Sequence, residues 1–123
     1  MKSPHSGLKR VIHAAGYSWK GFMTTWKHEA AFRQEIFLFS LMSPFVFWLG
    51  DTAAERVILI AVLLIVLVVE ILNSAVESIV DRIGEGYHEL SGRAKDQGSA
   101  AVFLSFFMAI LVWGGFLISK LVG

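Results

Sequence analysis

The sequence lacks cysteine, has few charged residues and contains none of the common phosphate-binding loops. With no cysteine among its 123 residues, disulfide bonds and thiolate metal sites are excluded. Charged residues make up 17% of the chain and the formal net charge is +1, so the charge balance indicates no nucleic-acid partner. Neither a Walker loop (GxxxxGK followed by Ser or Thr) nor a kinase glycine loop occurs. Any phosphate site must therefore be built differently from the common nucleotide-binding folds.

Apolar residues dominate the chain instead. They make up 55% of it, the reverse of a disordered composition, and 123 residues leave room for one domain. We expect a single all-α membrane domain: an amphipathic surface helix over residues 6–28 precedes three transmembrane helices, at residues 30–50, 57–80 and 98–119. The surface helix is typical of a bilayer interface because apolar residues recur at three- and four-residue intervals between basic ones: Leu8, Ile12, Ala15, Trp19, Phe22 and Trp26.

Two of these segments contain residues that interrupt helices. Gly16 and Gly21 permit a break of the surface helix into two. Pro44 lies inside the first span, where a membrane helix tolerates it if neighbouring helices or Ser43 bond the backbone groups that proline leaves free.

A carboxylate lies inside the most hydrophobic stretch of the chain. Glu70 follows thirteen uncharged apolar residues from Val57 to Val69, and an acidic side chain at the centre of a membrane helix costs roughly 2.5–3.5 kcal/mol. It opens a polar series at spacings of three, four and four residues, which lies on one helical face: Glu70, Asn73, Glu77 and Asp81. The sequence therefore predicts an active or ion-binding site near a membrane surface.

Other roles remain open for members of this series. Glu70 can also serve helix association by hydrogen bonding across an interface. Asn73 either orients Glu70 or a metal ion, or bonds a neighbouring helix; Asp81 either pairs with Arg82 or caps the helix end. A thin three-span bundle hides Glu70 poorly from lipid, which favours an oligomer with a shared site.

Lysine and arginine are distributed unevenly along the chain. Six precede or begin the first span and three lie between the second and third, against Arg56 and Lys120 elsewhere. Because positive charge marks the cytoplasmic side, we expect the N-terminus and the loop over residues 81–97 to be cytoplasmic.

This topology places Glu29 at the same depth as Glu77, so two carboxylates from different helices can meet. Such a pair suggests Mg²⁺, which binds a few carboxylates together with water and substrate phosphates. Lys95 and Arg10 would supply positive charge for those phosphates. The chemistry that these residues indicate is phosphoryl transfer.

The chain resembles the prokaryotic diacylglycerol kinase family over nearly its whole length. The segments that carry the resemblance are residues 14–21 (AAGYSWKG), 29–35 (EAAFRQE), 70–77 (EILNSAVE), 81–84 (DRIG), 88–96 (HELSGRAKD) and 98–102 (GSAAV). They place polar residues where a membrane helix would otherwise have none. The resemblance implies a homotrimeric protein of the bacterial inner membrane that uses MgATP to phosphorylate diacylglycerol to phosphatidic acid.

The resemblance also implies roles for individual residues. Glu70 would be the catalytic base, Glu29 and Glu77 would hold Mg²⁺, and Asn73 and Asp81 would support them. The nucleotide contacts would be Arg10, Tyr17, Glu29, Glu77, His88, Lys95 and Asp96. The lipid contacts would be Trp19, Arg33, Glu35, Trp48, Ser99 and Trp113.

His88 is equally compatible with a plain interfacial histidine. The chain departs from the family pattern at Gly86, where relatives tend to have an acidic residue, and we assign no role to Gly86 or Glu85. The expected mechanism is direct transfer, in which Glu70 takes the proton of the attacking lipid hydroxyl. Two other functions remain open: a polyisoprenoid alcohol kinase, and a small proton-coupled transporter that uses Glu70 as its proton carrier.

Overall fold

The computed structural model describes residues 6–84, 86 and 88–123, and over that part of the chain it contains helices and no strand. In chain order the elements are α1 (Leu8–His28), α2 (Ala30–Met42), a 3₁₀ turn (Ser43–Phe45), α3 (Val46–Leu49), α4 (Ala53–Ile83) and α5 (Glu89–Val122). The predicted all-α class is confirmed.

Helix α1 is continuous through Gly16 and Gly21, so the break that the glycines permit does not occur. Its large apolar side chains are exposed, including Trp19 and Trp26. The helix ends at His28, where the Arg33 guanidinium reaches back to donate to the Trp26 and Lys27 carbonyls. This contact satisfies carbonyls that the end of a helix leaves without a partner, and it links α1 to α2.

The predicted first span is helical but broken at Pro44 into α2, the 3₁₀ turn and α3. Because Pro44 has no N–H, the Ser40 carbonyl loses its helical donor. The Ser43 hydroxyl replaces that donor, at 3.0 Å from Ser40 O, and also lies 3.0 Å from Phe39 O. Repair of the break by Ser43 is therefore confirmed.

Helices α4 and α5 are each long and apolar enough to cross a membrane, with mean hydropathies of 2.9 and 2.4 over their most apolar windows. These two are the candidate spans in the described part of the chain, and the total of three spans stays a prediction. The loop expected over residues 81–97 is much shorter in the structure, because α4 continues to Ile83 and α5 already begins at Glu89. Helix α5 can start early because the His88 ring caps it, with Nδ1 accepting from the Leu90 N–H at 3.1 Å.

The apolar core joins α2, α3, α4 and α5 on one side of Glu70. Its buried members are Phe39, Val46, Leu49, Leu59, Val62, Leu63, Val66 and Ala109. The Trp113 side chain packs against this core, and its indole N–H donates to the Leu59 carbonyl at 3.0 Å. The core thus fixes α5 against α4.

Candidate active site

Polar side chains are sorted to the two ends of the helical bundle. We call the part that contains Glu29, Glu35, Glu70, Asn73, Ser74 and Glu77 the acidic end, and the part that contains Asp51, Thr52, Arg56 and Lys120 the Lys120 end. The apolar core separates the two. The described residues contain three buried side-chain polar atoms without a hydrogen-bond partner, and all three belong to the acidic end: Glu35 Oε1, Glu70 Oε2 and Asn73 Oδ1.

Glu70 is 8% exposed and lies against Glu35, which is 7% exposed. The two carboxyl groups are near neighbours. Glu70 belongs to α4 and Glu35 to α2, so helix packing brings together residues that are far apart in sequence. A buried pair of acids is costly, and buried polar groups without a donor are rare in proteins. Their retention points to function at this position.

Glu29 lies between α1 and α2, with extended backbone (φ −117°, ψ 105°). Its carboxylate does not cap α2. It accepts a hydrogen bond of 2.9 Å from the Ser74 hydroxyl of α4 instead. Ser74 follows Glu70 by four residues and precedes Glu77 by three, so all three share a face of α4. The bond therefore seats the Glu29 carboxylate between the helix positions of Glu70 and Glu77.

Asn73 packs against Gly98 of α5. A Cβ added at Gly98 would lie 2.1 Å from Asn73 Oδ1, which no real contact allows, so the Asn73 side chain fits here because residue 98 has no side chain. Asn73 thus packs against a neighbouring helix, but its Oδ1 accepts no hydrogen bond from the described residues, and the alternatives for Asn73 stay predictions.

A cavity of about 490 Å³ opens beside the acidic end, between the C-terminal end of α4 and the beginning of α5. Asp81, His88 and Lys95 line it. Lys95 Nζ lies 3.0 Å from Asp81 Oδ1, a partner that neither alternative for Asp81 included. Asp96 lines a separate cavity on another side of α5, together with Arg93 and Gln97.

The remaining predicted nucleotide residues lie on α1. Arg10 and Tyr17 are exposed there, and neither belongs to the lining of the cavity that contains Lys95. The Lys20 ammonium lies 6.0 Å from the centre of the Tyr17 ring. Within the described residues, no group of three or more His, Asp or Glu side chains comes together to hold a metal ion unaided.

The chain matches a known protein family over most of its length. The family model of prokaryotic diacylglycerol kinase matches residues 16–117. The chain belongs to this family. The diacylglycerol kinase of Escherichia coli K12 is 52% identical over 113 residues, which cover 92% of this chain and 93% of that protein. Those of Haemophilus influenzae Rd and Pseudomonas aeruginosa PAO1 are 49% and 44% identical over 91% and 92% of this chain, and 95% and 92% of their own lengths. The expectation that the chain is a kinase of this family is confirmed.

The residues to which the family resemblance assigns lipid binding lie at two levels along the helical bundle of this kinase. Arg33 and Glu35 are near the acidic end, where Arg33 bonds the end of α1 and Glu35 contacts Glu70. Trp113 bonds Leu59, which precedes Glu70 by eleven residues or about 16 Å of helix. Of the others, Trp48 is exposed on α3, Trp19 is exposed on α1 and Ser99 is exposed on α5. Their common role in lipid binding stays a prediction.

Sequence reasoning missed one residue of this site, Ser74. It lies inside a segment that carries the family resemblance, but it is not acidic, basic or aromatic, and so it attracted no role. Helical position gives a signal for Ser74, because it shares a face with Glu70 and Glu77. Glu85 lies outside the described residues.

Proposed function

We propose that the protein transfers the γ-phosphoryl group of MgATP directly to diacylglycerol and releases phosphatidic acid. The observation that carries this proposal is the burial of the Glu70 carboxyl group, with one oxygen lacking a donor, in a chain whose relatives are named diacylglycerol kinase. A buried acid with an unused oxygen is suited to accept a proton from a lipid hydroxyl. This supports a reaction at the membrane rather than in water.

Glu70 acts as the general base in this mechanism. The lipid is anchored by its acyl chains and presents its primary hydroxyl at the depth of Glu70. The hydroxyl oxygen bonds to the γ-phosphorus, the bond from that phosphorus to the bridging oxygen of ADP breaks, and the hydroxyl proton passes to the Glu70 carboxylate. No covalent intermediate with the protein is formed.

Glu29 and Glu77 hold Mg²⁺ in this proposal. Two carboxylates match the preference of this ion, which takes a few protein oxygens and completes its shell with water and phosphate oxygens. When bound, the ion neutralises charge on the transferred phosphate.

Lys95 supplies positive charge to the nucleotide. It lines the cavity of about 490 Å³ beside the acidic end, and its ammonium already holds the Asp81 carboxylate there. We assign the nucleotide to this cavity, with His88 at its edge, and place Arg10, Tyr17 and Asp96 around it in the assembled enzyme. An exposed Lys–Asp pair is weak, so phosphate oxygens can replace the carboxylate.

The protein acts at the cytoplasmic surface of the bacterial inner membrane as a homotrimer. Many large apolar side chains of α4 and α5 are exposed in the single chain, such as Leu72, Phe103 and Leu111. Lipid and neighbouring protomers would cover them. In this arrangement α1 lies on the bilayer and brings Trp19 to the lipid headgroups.

The test is phosphorylation of diacylglycerol by ATP in mixed micelles, with Mg²⁺ present or withheld and with Glu70→Gln beside the wild type. Transfer that requires both Mg²⁺ and Glu70 is the expected result. Nucleotide binding and oligomer size of Glu70→Gln are the controls for its folding.

Three results would contradict the proposal. Phosphorylation of a polyisoprenoid alcohol in place of diacylglycerol would change the substrate but retain the site. Proton-driven flux without ATP consumption in proteoliposomes would overturn the kinase mechanism. Near-normal transfer by Glu70→Gln would remove Glu70 from the reaction.

A further inference from the structure

The Ser74 hydroxyl behaves differently from the other bonded serine hydroxyls of the described helices. In apolar surroundings a helical serine usually donates to a carbonyl three or four residues earlier in its own helix. Four serines do so here: Ser18, Ser40, Ser43 and Ser105. Ser74 donates instead to the carboxylate of Glu29, 45 positions away in sequence.

Glu29 is held in place for this bond by its backbone. Its N–H donates to Thr25 O at 2.9 Å at the end of α1, and its extended conformation turns the chain into α2. The carboxylate makes no capping bond to its own helix. A long side chain with that freedom would sample several rotamers, and the hydroxyl of Ser74 selects one of them.

We infer that Ser74 is a positioning residue, which orients the Glu29 carboxylate for divalent cation binding; this rests on the proposed role of Glu29. Its place between Glu70 and Glu77 on α4 brings the Glu29 carboxylate to the face that holds the other two acids. A hydrogen bond to one oxygen of a ligating carboxylate leaves the second oxygen for the metal. Loss of such a supporting partner typically weakens metal binding about 10- to 100-fold.

The test compares Ser74→Ala, which removes the hydroxyl, with Ser74→Thr, which keeps it. Ser105→Ala is the matched control because Ser105 is buried in α5 and bonds its own helix, at 2.7 Å from Val102 O. Binding of Mn²⁺ to the purified oligomer with a non-hydrolysable ATP analogue is measured by electron paramagnetic resonance. The Mg²⁺ concentration for half-maximal activity and the KM for diacylglycerol are measured beside it.

We expect Ser74→Ala to weaken Mn²⁺ binding about tenfold and to raise the Mg²⁺ requirement by a similar factor, with the KM for lipid unchanged. Ser74→Thr and Ser105→Ala should match the wild type. Adding Ser74→Ala to Glu29→Gln should cause no further loss, because the hydroxyl then has no carboxylate to orient.

The inference is overturned if folded Ser74→Ala binds Mn²⁺ as the wild type does, or if Ser74→Thr loses as much as Ser74→Ala. A further loss in the Glu29→Gln background would also overturn it, since Ser74 would then act through another group. Wild-type protein that binds no Mn²⁺ with nucleotide would contradict the metal role of Glu29 itself, and this inference would fall with it.

Discussion

The two ends of the bundle differ in how far their polar groups are paired. At the Lys120 end the polar groups are paired: Lys120 Nζ lies 3.0 Å from Asp51 Oδ1, and Arg56 Nε lies 2.9 Å from the Gly50 carbonyl. At the acidic end Glu35, Glu70 and Asn73 each leave a buried oxygen without a donor. The first end has the pattern of a structural cap, and the second that of a site whose partners are ligands.

The difference indicates that the Lys120 end contributes more to stability than the acidic end. Paired polar groups lower the cost of burial, whereas an unpartnered buried oxygen costs about 1–3 kcal/mol. Proteins tolerate such a cost mainly where function requires it. Substitutions at the acidic end should therefore lower activity with little loss of stability. Substitutions at the Lys120 end should lower stability with little loss of activity.

The largest effect is expected for Glu70→Gln. Without its general base, the turnover number should fall by about 10²- to 10⁴-fold. Stability should stay the same or rise by about 1 kcal/mol, because the new amide can donate to the buried oxygen of Glu35. Thermal unfolding in detergent beside the kinase assay measures both. A large loss of stability would contradict the contrast between the two ends.

Gly98→Ala should have the next largest effect. The added methyl group would overlap Asn73 Oδ1, so the Asn73 side chain must move from its place beside the acidic residues. A misplacement of about 1 Å can lower turnover by about 10²-fold. Gly114→Ala is the matched control on the same helix, since nothing lies within 4 Å of its added Cβ.

A double variant sharpens this prediction. If Gly98 serves only to accommodate Asn73, the pair Asn73→Ala with Gly98→Ala should be no less active than Asn73→Ala alone. Losses that simply multiply would show that Gly98 has a separate role in helix packing.

Thr52→Ala should reduce stability without affecting turnover. The Thr52 hydroxyl caps α4 by accepting from the Glu55 N–H at 3.2 Å, and the Glu55 carboxylate accepts from the Asp51 N–H at 2.8 Å. Loss of such an N-cap costs about 1 kcal/mol. Denaturant or thermal unfolding measures this change; a lowered turnover number at temperatures where the variant is folded would contradict it.

Lys120→Met should have the smallest effect. It removes the ion pair with Asp51, whose carboxylate side chain is largely exposed, and such pairs contribute about 0–1 kcal/mol. The unfolding temperature should change little, and less still at high salt. A loss of turnover larger than twofold, measured at saturating substrate, would place a functional group at this end.

Sequence reasoning predicted the helices well because apolar periodicity and length determine them locally. It identified the long apolar stretch before Glu70, the repair of the Pro44 break by Ser43 and the helical first segment. It did not foresee helical structure between the predicted second and third spans, where α5 already begins at Glu89, with a local cap at His88 that a membrane-span estimate does not consider. It also missed the pairing of Asp81 with Lys95, which depends on the packing of α4 against α5.

By itself, the sequence determined that the chain is helical, that it has helices long and apolar enough to cross a membrane, and that Glu70, Glu77 and Asn73 share a face of one helix. Those properties follow from composition and from the 3.6-residue repeat. Only the tertiary structure decided that Glu35 meets Glu70, that Ser74 holds Glu29 and that Gly98 admits Asn73. These contacts join different helices, and their partners are chosen by how the helices approach and rotate against one another, which no local pattern of residues specifies.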